Sequence, residues 1–349
     1  MSAQPPPPPP PRPRRFVIIA HRGDSASAPE NTYASFELAL SRGFPAFETD
    51  VQLTADGAAV LIHCEELGRT TGGAGRVDGA ALAEVLALDA GAWFGDGAFA
   101  GERVPTLDGA LRRFKGRAHI HLELKSQQPG LPAAVAALVK RHGWDRAPEH
   151  SAAAAATAAA EAPAAAAAAA AAGAAEPGPE GGVPRAAAAS AAAPAEGEAA
   201  RGGAAAAAAA AAQEEGDWPG AALGEVPGLT LTSFHLEQLR RSKELLPGVR
   251  HAWLLQEWGP EAAGAARGAP MEVLCPRANA LTPEAVREMR AAGFLVRAWG
   301  VKTPELLLHV AACGVDGATV NWPEQAAELL GRADGKQARR DEAGSRAQL

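Results

Sequence analysis

Short β-like runs alternate with amphipathic stretches, ionisable residues gather at the ends of those runs, and the folded length is that of a barrel. These three observations predict an α/β fold closed as a (β/α)8 TIM barrel. The chain has 349 residues, from which three stretches are set aside. They are the tail 1–15 with its unbroken proline run Pro5 to Pro11, the segment 151–212 with 39 alanines in 62 positions, and the polar end 334–349. The 256 residues left compare with the roughly 250 of a typical barrel. The expected domain is 16–333, interrupted by the alanine-rich insertion at 151–212.

The elements follow in order. Phe16–Ala20 is a β-branched apolar run leading into His21 and Arg22. Tyr33–Arg42 reads as its helix, then Phe47–Leu53 and Ala59–His63 as strands. Helix Leu107–Phe114, strand His119–Lys125 and helix Leu131–His142 come before the insertion. Beyond it the strands are Leu229–Phe234, Ala252–Gln256, Glu272–Cys275, Leu295–Val301 and Gly317–Asn321. Helices Leu236–Leu246, Pro283–Ala292 and Pro304–Cys313 fall between them. Pro283 and Pro304 suit a first helical turn, each after a threonine that can cap. Nine strand candidates compete for eight places, and the pattern leaves open which is surplus. An open doubly wound sheet is disfavoured because no glycine-rich nucleotide loop follows the first strand.

The set-aside segments carry their own expectations. Val183 is the one larger aliphatic residue of 151–212, so that stretch cannot build a core. It reads as a surface insertion with little fixed structure, a partner-binding arm being the alternative. The proline tail favours an extended conformation, suited either to solvent or to an SH3-like, WW-like or profilin-like partner. Three cysteines without a CxxC pair argue against structural disulfides and zinc, and for a reducing compartment. A net charge of −7 gives no basic surplus for nucleic acid. No long apolar run suggests a transmembrane helix, and no signal peptide core is seen, which makes cytoplasm the default expectation.

The chemistry concentrates near the start. Strand side chains alternate, so Glu48 and Asp50 face one way and Phe47, Thr49 and Val51 the other. Two converging carboxylates repel unless a cation lies between them. Glu123, on a strand with His121 and Lys125 on the same face, can add a third, and an all-carboxylate set without cysteine marks a hard ion, Mg²⁺ or Ca²⁺. Arg22 can grip a phosphate oxygen with its fork and Lys125 can hold one as a point charge. His21 and His63, placed at neighbouring strand ends, titrate near neutrality, so one can accept a proton while the other donates. The constellation reads as phosphate chemistry.

His21-Arg22-Gly23, Pro29 to Thr32, Glu48 through Gly57 and His63 through Thr71 together resemble the glycerophosphodiester phosphodiesterase family. Leu88 to Phe94, Gly101-Glu102, Pro105 to Leu107, Leu122 to Lys125 and Gly314 to Gly317 extend the resemblance, which covers roughly 16–333. It implies a TIM barrel, with a small inserted subdomain at 64–106 after the third strand, that hydrolyses glycerophosphodiesters, small-molecule substrates, to glycerol 3-phosphate and an alcohol. It implies His21 and His63 as the acid-base pair, Glu48, Asp50 and Glu123 as metal ligands, and Arg22 and Lys125 at the phosphate. Trp299 is retained, with two roles open: packing against the glycerol or packing in the core.

Some positions depart from the family pattern. Cys64 replaces an acidic residue after the second histidine, and a thiol is a poorer partner for orienting a neighbour. His121 replaces a smaller amide, and Lys302 adds a charge near the expected mouth. Two other functions stay in view: a lysophospholipase D-type activity, disfavoured by the lack of a membrane-binding amphipathic helix, and a weakened relative that acts as a binding or scaffold protein.

Overall fold

The strand β1 (Val17–His21) pairs in parallel with both β2 (Ala46–Leu53) and β9 (Gly317–Val320), and this double pairing closes a ring. The computed structural model describes residues 16–145 and 227–331. From β2 the ring continues through β4 (His119–Leu124), β5 (Gly228–Ser233), β6 (Arg250–Leu255), β7 (Val273–Pro276) and β8 (Leu295–Ala298) to β9, every neighbour parallel. The predicted (β/α)8 barrel is therefore present. The surplus candidate is Ala59–His63. Its strand, β3 (Ala59–Leu61), pairs antiparallel with the last residues of β2 and has no place in the ring. The expectations for 1–15, 151–212 and 334–349 lie outside the described residues.

The helices are α1 (Tyr33–Ser41), α2 (Gly68–Thr71), α3 (Leu82–Ala87), α4 (Leu107–Phe114), α5 (Leu131–Arg141), α6 (Leu236–Leu245), α7 (Pro260–Arg267), α8 (Pro283–Ala291) and α9 (Pro304–Ala312). Both expected threonine caps form: Thr282 Oγ1 accepts from Ala285 N at 3.2 Å and Thr303 Oγ1 from Leu306 N at 3.3 Å. Thr32 caps α1 in a reciprocal box with Ser35. The sequence reading missed α7, whose alanines and glycine give no apolar stripe.

Alternation along each strand divides the core into two layers. Phe47 and Val51 point outward to the helices, where Phe36, Phe47 and Phe114 stack with ring centroids 4.4 to 5.8 Å apart. Each such burial stabilises the fold by about 2–3 kcal/mol. Val17, Ile19, Ala46, Ala252, Leu254, Val273 and Cys275 fill the barrel interior. Above that apolar plug the inward positions turn polar, and the site begins there. Residues 64–106 carry α2, α3 and a separate buried cluster of Leu67, Val77, Val85, Ala90 and Val104, joined by Val60 and Ile62 from β3 and its end.

Candidate active site

The three predicted carboxylates meet. Glu48 and Asp50 on β2 and Glu123 on β4 each bring one oxygen within 4.8 Å of the other two, and all three side chains are buried. The register explains it: Asp50 is paired with Glu123, and Glu48 lies two residues back on the same face. Burial, with the charges of Asp50 and Glu123, pushes Glu48 well above the usual carboxylate range. Burial and Asp50 raise Glu123 as well. Asp50 goes the other way: against its burial, Arg22 and Lys125 hold its carboxyl below the ordinary value. Three buried acids with an all-oxygen donor set, two of them resisting ionisation, fit a hard divalent cation.

Two cations flank the triad. Lys125 Nζ lies 2.9 Å from Glu123 Oε1 and 3.4 Å from Asp50 Oδ1. Arg22 Nε lies 3.2 Å from Asp50 Oδ2, while its Nη1 donates to Glu30 Oε1 at 2.8 Å and its backbone N donates to Glu48 Oε2 at 3.1 Å. Arg22 achieves this with φ at +57°, a left-handed conformation costly for a branched-off side chain. Gly23 follows at φ +83°, and a methyl group there would come within 2.6 Å of the Ser35 carbonyl carbon. The loop after β1 is thus wound tightly so that a backbone N–H and a guanidinium both face the acids.

His21 Nδ1 is 2.5 Å from Asn321 Oδ1, and its Nε2 lies 3.8 Å from Glu48 Oε2. The amide oxygen only accepts, so Nδ1 carries the proton of the neutral ring and Nε2 is left as its acceptor. Burial and the Arg22 charge push His21 down to about 4, and burial does the same to His63, also to about 4. His63 is not at the end of a barrel strand, as the sequence suggested. It stands two residues past β3, in a segment tied down by Gln52, whose Nε2 donates to the carbonyls of Ile62, His63 and Cys64 at 2.9 to 3.1 Å.

His21, Arg22, Glu48, His63, Glu123, Lys125 and Trp299 line one cavity of about 490 Å³ at the C-terminal ends of the barrel strands. Trp299 faces the cavity, packs edge-on against Phe234 at 5.0 Å and donates from Nε1 to Leu255 O at 3.0 Å. Asp50 lies just behind the lining.

Several residues escaped the sequence reading. Asn31, also at φ +57°, donates to Asp50 Oδ2 at 3.0 Å and accepts from Thr49 Oγ1 at 2.7 Å. Glu30 bridges Arg22 and Arg69 and is held below the usual range, its burial outweighed by those two guanidinium groups. Cys64 Sγ accepts from Arg69 Nε at 2.7 Å. Glu30 and Asn31, Gln52 and Arg69 fell within the quoted stretches Pro29 to Thr32, Glu48 through Gly57 and His63 through Thr71, which were the available signal.

The family model for the glycerophosphoryl diester phosphodiesterase family matches residues 21–141. YhdW of Bacillus subtilis is 46% identical over 124 residues, covering 35% of this chain and 51% of that protein. The glycerophosphodiester phosphodiesterase of Caldanaerobacter subterraneus is 41% identical over 133 residues, 37% of this chain and 54% of that one. The chain thus spans about half the length of the curated relatives it matches. Among solved structures, an Oleispira antarctica phosphodiesterase in complex with its product sn-glycerol-3-phosphate superposes with a TM-score of 0.63 at 23% identity, covering 90% of this chain and 96% of that one. That likeness is one of fold.

Proposed function

We infer that this chain, whose residues 21–141 match the family model for glycerophosphoryl diester phosphodiesterases, is a member of that family and hydrolyses glycerophosphodiesters to glycerol 3-phosphate and an alcohol. The observation that carries the inference is a buried carboxylate triad of which Glu48 and Glu123 line one cavity with two low-pKa histidines, an arginine and a lysine. Glu48, Asp50 and Glu123 would hold a divalent cation, which when bound supplies Lewis-acid stabilisation of charge at the phosphoryl group. Arg22 and Lys125 sit at the lip of the triad and offer donors to the phosphate oxygens, the charge-assisted contacts that strengthen as negative charge builds.

His21 and His63 move the protons. Each is uncharged at neutral pH in the free protein, ready to accept one from a water or from the substrate's own glycerol hydroxyl. A docked phosphodiester anion favours the charged imidazole, so one of the pair becomes the donor to the leaving alcohol. The Asn321 contact keeps His21 Nδ1–H fixed in either state, so that only Nε2 exchanges a proton. Asn31 and Gln52 hold the triad and the His63 segment in place.

Phosphorus NMR of a reaction with glycerophosphocholine, glycerophosphoethanolamine and glycerophosphoserine, with Mg²⁺ or Ca²⁺, tests this directly. The expected result is conversion of the diester signal into that of glycerol 3-phosphate. Cleavage of lysophospholipids alone would move the assignment to a lysophospholipase D-type activity, and no cleavage of either class would overturn it.

A further inference from the structure

We propose that Arg297 anchors a second anion subsite in the cavity, which takes an anionic group carried by the substrate's alcohol portion. The proposal rests on the phosphodiesterase reading of the site.

Arg297 is the largest fully buried side chain described, 1% exposed. The other inward-reaching arginines are neutralised: Arg22 by Glu30 and Asp50, Arg42 by Asp24, Arg290 by Asp316. Among the described residues Arg297 makes no ion pair. Its one hydrogen bond there runs from Nε to Cys275 Sγ at 3.3 Å, and its Nη1 is buried with no acceptor. A desolvated guanidinium without an anion is costly, and a thiol is a weak acceptor. The charge is retained in a place where an anion from outside can reach it, because Arg297 lines the same cavity as the triad.

Its position sets what that anion is. Around the ring β8 stands four places from β4, directly across from Glu123 and Lys125. Thr319, on the neighbouring strand β9, also lines the cavity, and its buried Oγ1 has no partner. The exposed Lys302 adds a positive charge at the rim. The reacting phosphodiester carries one negative charge, already faced by Arg22 and Lys125 on the β1–β2–β4 side. A second cationic wall opposite them matches a ligand with anionic groups at both ends, and the guanidinium fork suits a carboxylate or a phosphate.

Glycerophosphoserine and glycerophosphoethanolamine differ by one carboxylate, so their affinities isolate the subsite. Calorimetry in Mg²⁺ should give the serine compound an advantage of about tenfold. In Arg297→Gln, checked for folding by circular dichroism, the ratio should fall to about one, and Arg297→Lys should keep part of it because the charge survives without the fork. Equal affinities in the unmodified protein would overturn the proposal with no variant needed. So would an advantage that survives Arg297→Gln, or an equal loss for both compounds, which would place Arg297 on the reacting phosphate. Glycerol 3-phosphate release is followed in parallel: its absence would overturn the phosphodiesterase reading, and the binding ratio would still decide the subsite.

Discussion

Cys64 Sγ lies 3.5 Å from His63 Nδ1. The thiol that replaces an expected carboxylate therefore still touches the histidine, and Arg69 fixes it from the other side through Nε. Arg69 in turn grips Glu30, which grips Arg22, so the two histidine-bearing loops are joined by one polar chain. Removing the thiol in Cys64→Ala should lower kcat by about tenfold, an orientation loss of ~1.4 kcal/mol, with KM little changed. Cys64→Asp, a stronger acceptor, should equal or exceed the unmodified rate. Identical rates in all three proteins would leave Cys64 without a positioning role.

Gly23 carries both a left-handed backbone and a contact that leaves no room for a methyl group. Gly23→Ala should cost about 3 kcal/mol of stability through strain and displacement of Ser35. Urea unfolding measures this; a midpoint unchanged from that of the parent would contradict the described loop.

The triad's mutual repulsion makes a prediction about cation removal. Burial and its acidic neighbours Asp50 and Glu123 raise Glu48 above its ordinary value, so proton and cation compete for its carboxylate. Calorimetric titration with Mg²⁺ or Ca²⁺ should therefore show an affinity that weakens as the pH is lowered. At about a hundred times Kd the cation should add ~2.7 kcal/mol of stability. Glu48→Gln should lose that response and, in chelator, unfold at no lower urea concentration than the parent. A cation response that persists in Glu48→Gln would remove Glu48 from the ligand set.

Away from the site, His251 is fully buried between Val249 O and Ser242 Oγ, and burial together with Lys243 pushes it down to about 4. Its folded value lies below the unfolded one of about 6.5, so its stabilising contribution is complete above that pH. The contribution declines as pH falls from 6.5 and is gone below 4, a loss of ~3 kcal/mol. Unfolding midpoints across pH 4 to 7 should therefore fall more steeply in the parent than in His251→Gln; parallel curves would contradict the assignment.

Much of this was legible beforehand for a physical reason. Period-two alternation puts Glu48 and Asp50 on one face of β2 and Glu123 and Lys125 on one face of β4, and the register that pairs Asp50 with Glu123 completes the triad. Alternation is silent on the direction of pairing, so β3 could not be separated from the eight barrel strands, and His63 was assigned to a strand end. The contacts of Gln52, Asn321 and Arg297 were not legible, because each looks like an ordinary polar residue in or beside a strand. Their roles arise from what lies across the barrel or across a hairpin. For Arg297 the informative fact is the lack of a carboxylate partner among the described residues, which only three-dimensional packing reveals.

In the proposed reaction His21 and His63 carry the proton transfers beside the carboxylate triad. The most direct test is kcat for glycerol 3-phosphate release by His21→Ala and by His63→Ala, each first checked to fold and to bind the cation like the parent. Each should fall by about 10²–10⁴-fold, the usual contribution of a positioned acid or base. Activity within tenfold of the parent in either variant would contradict the account.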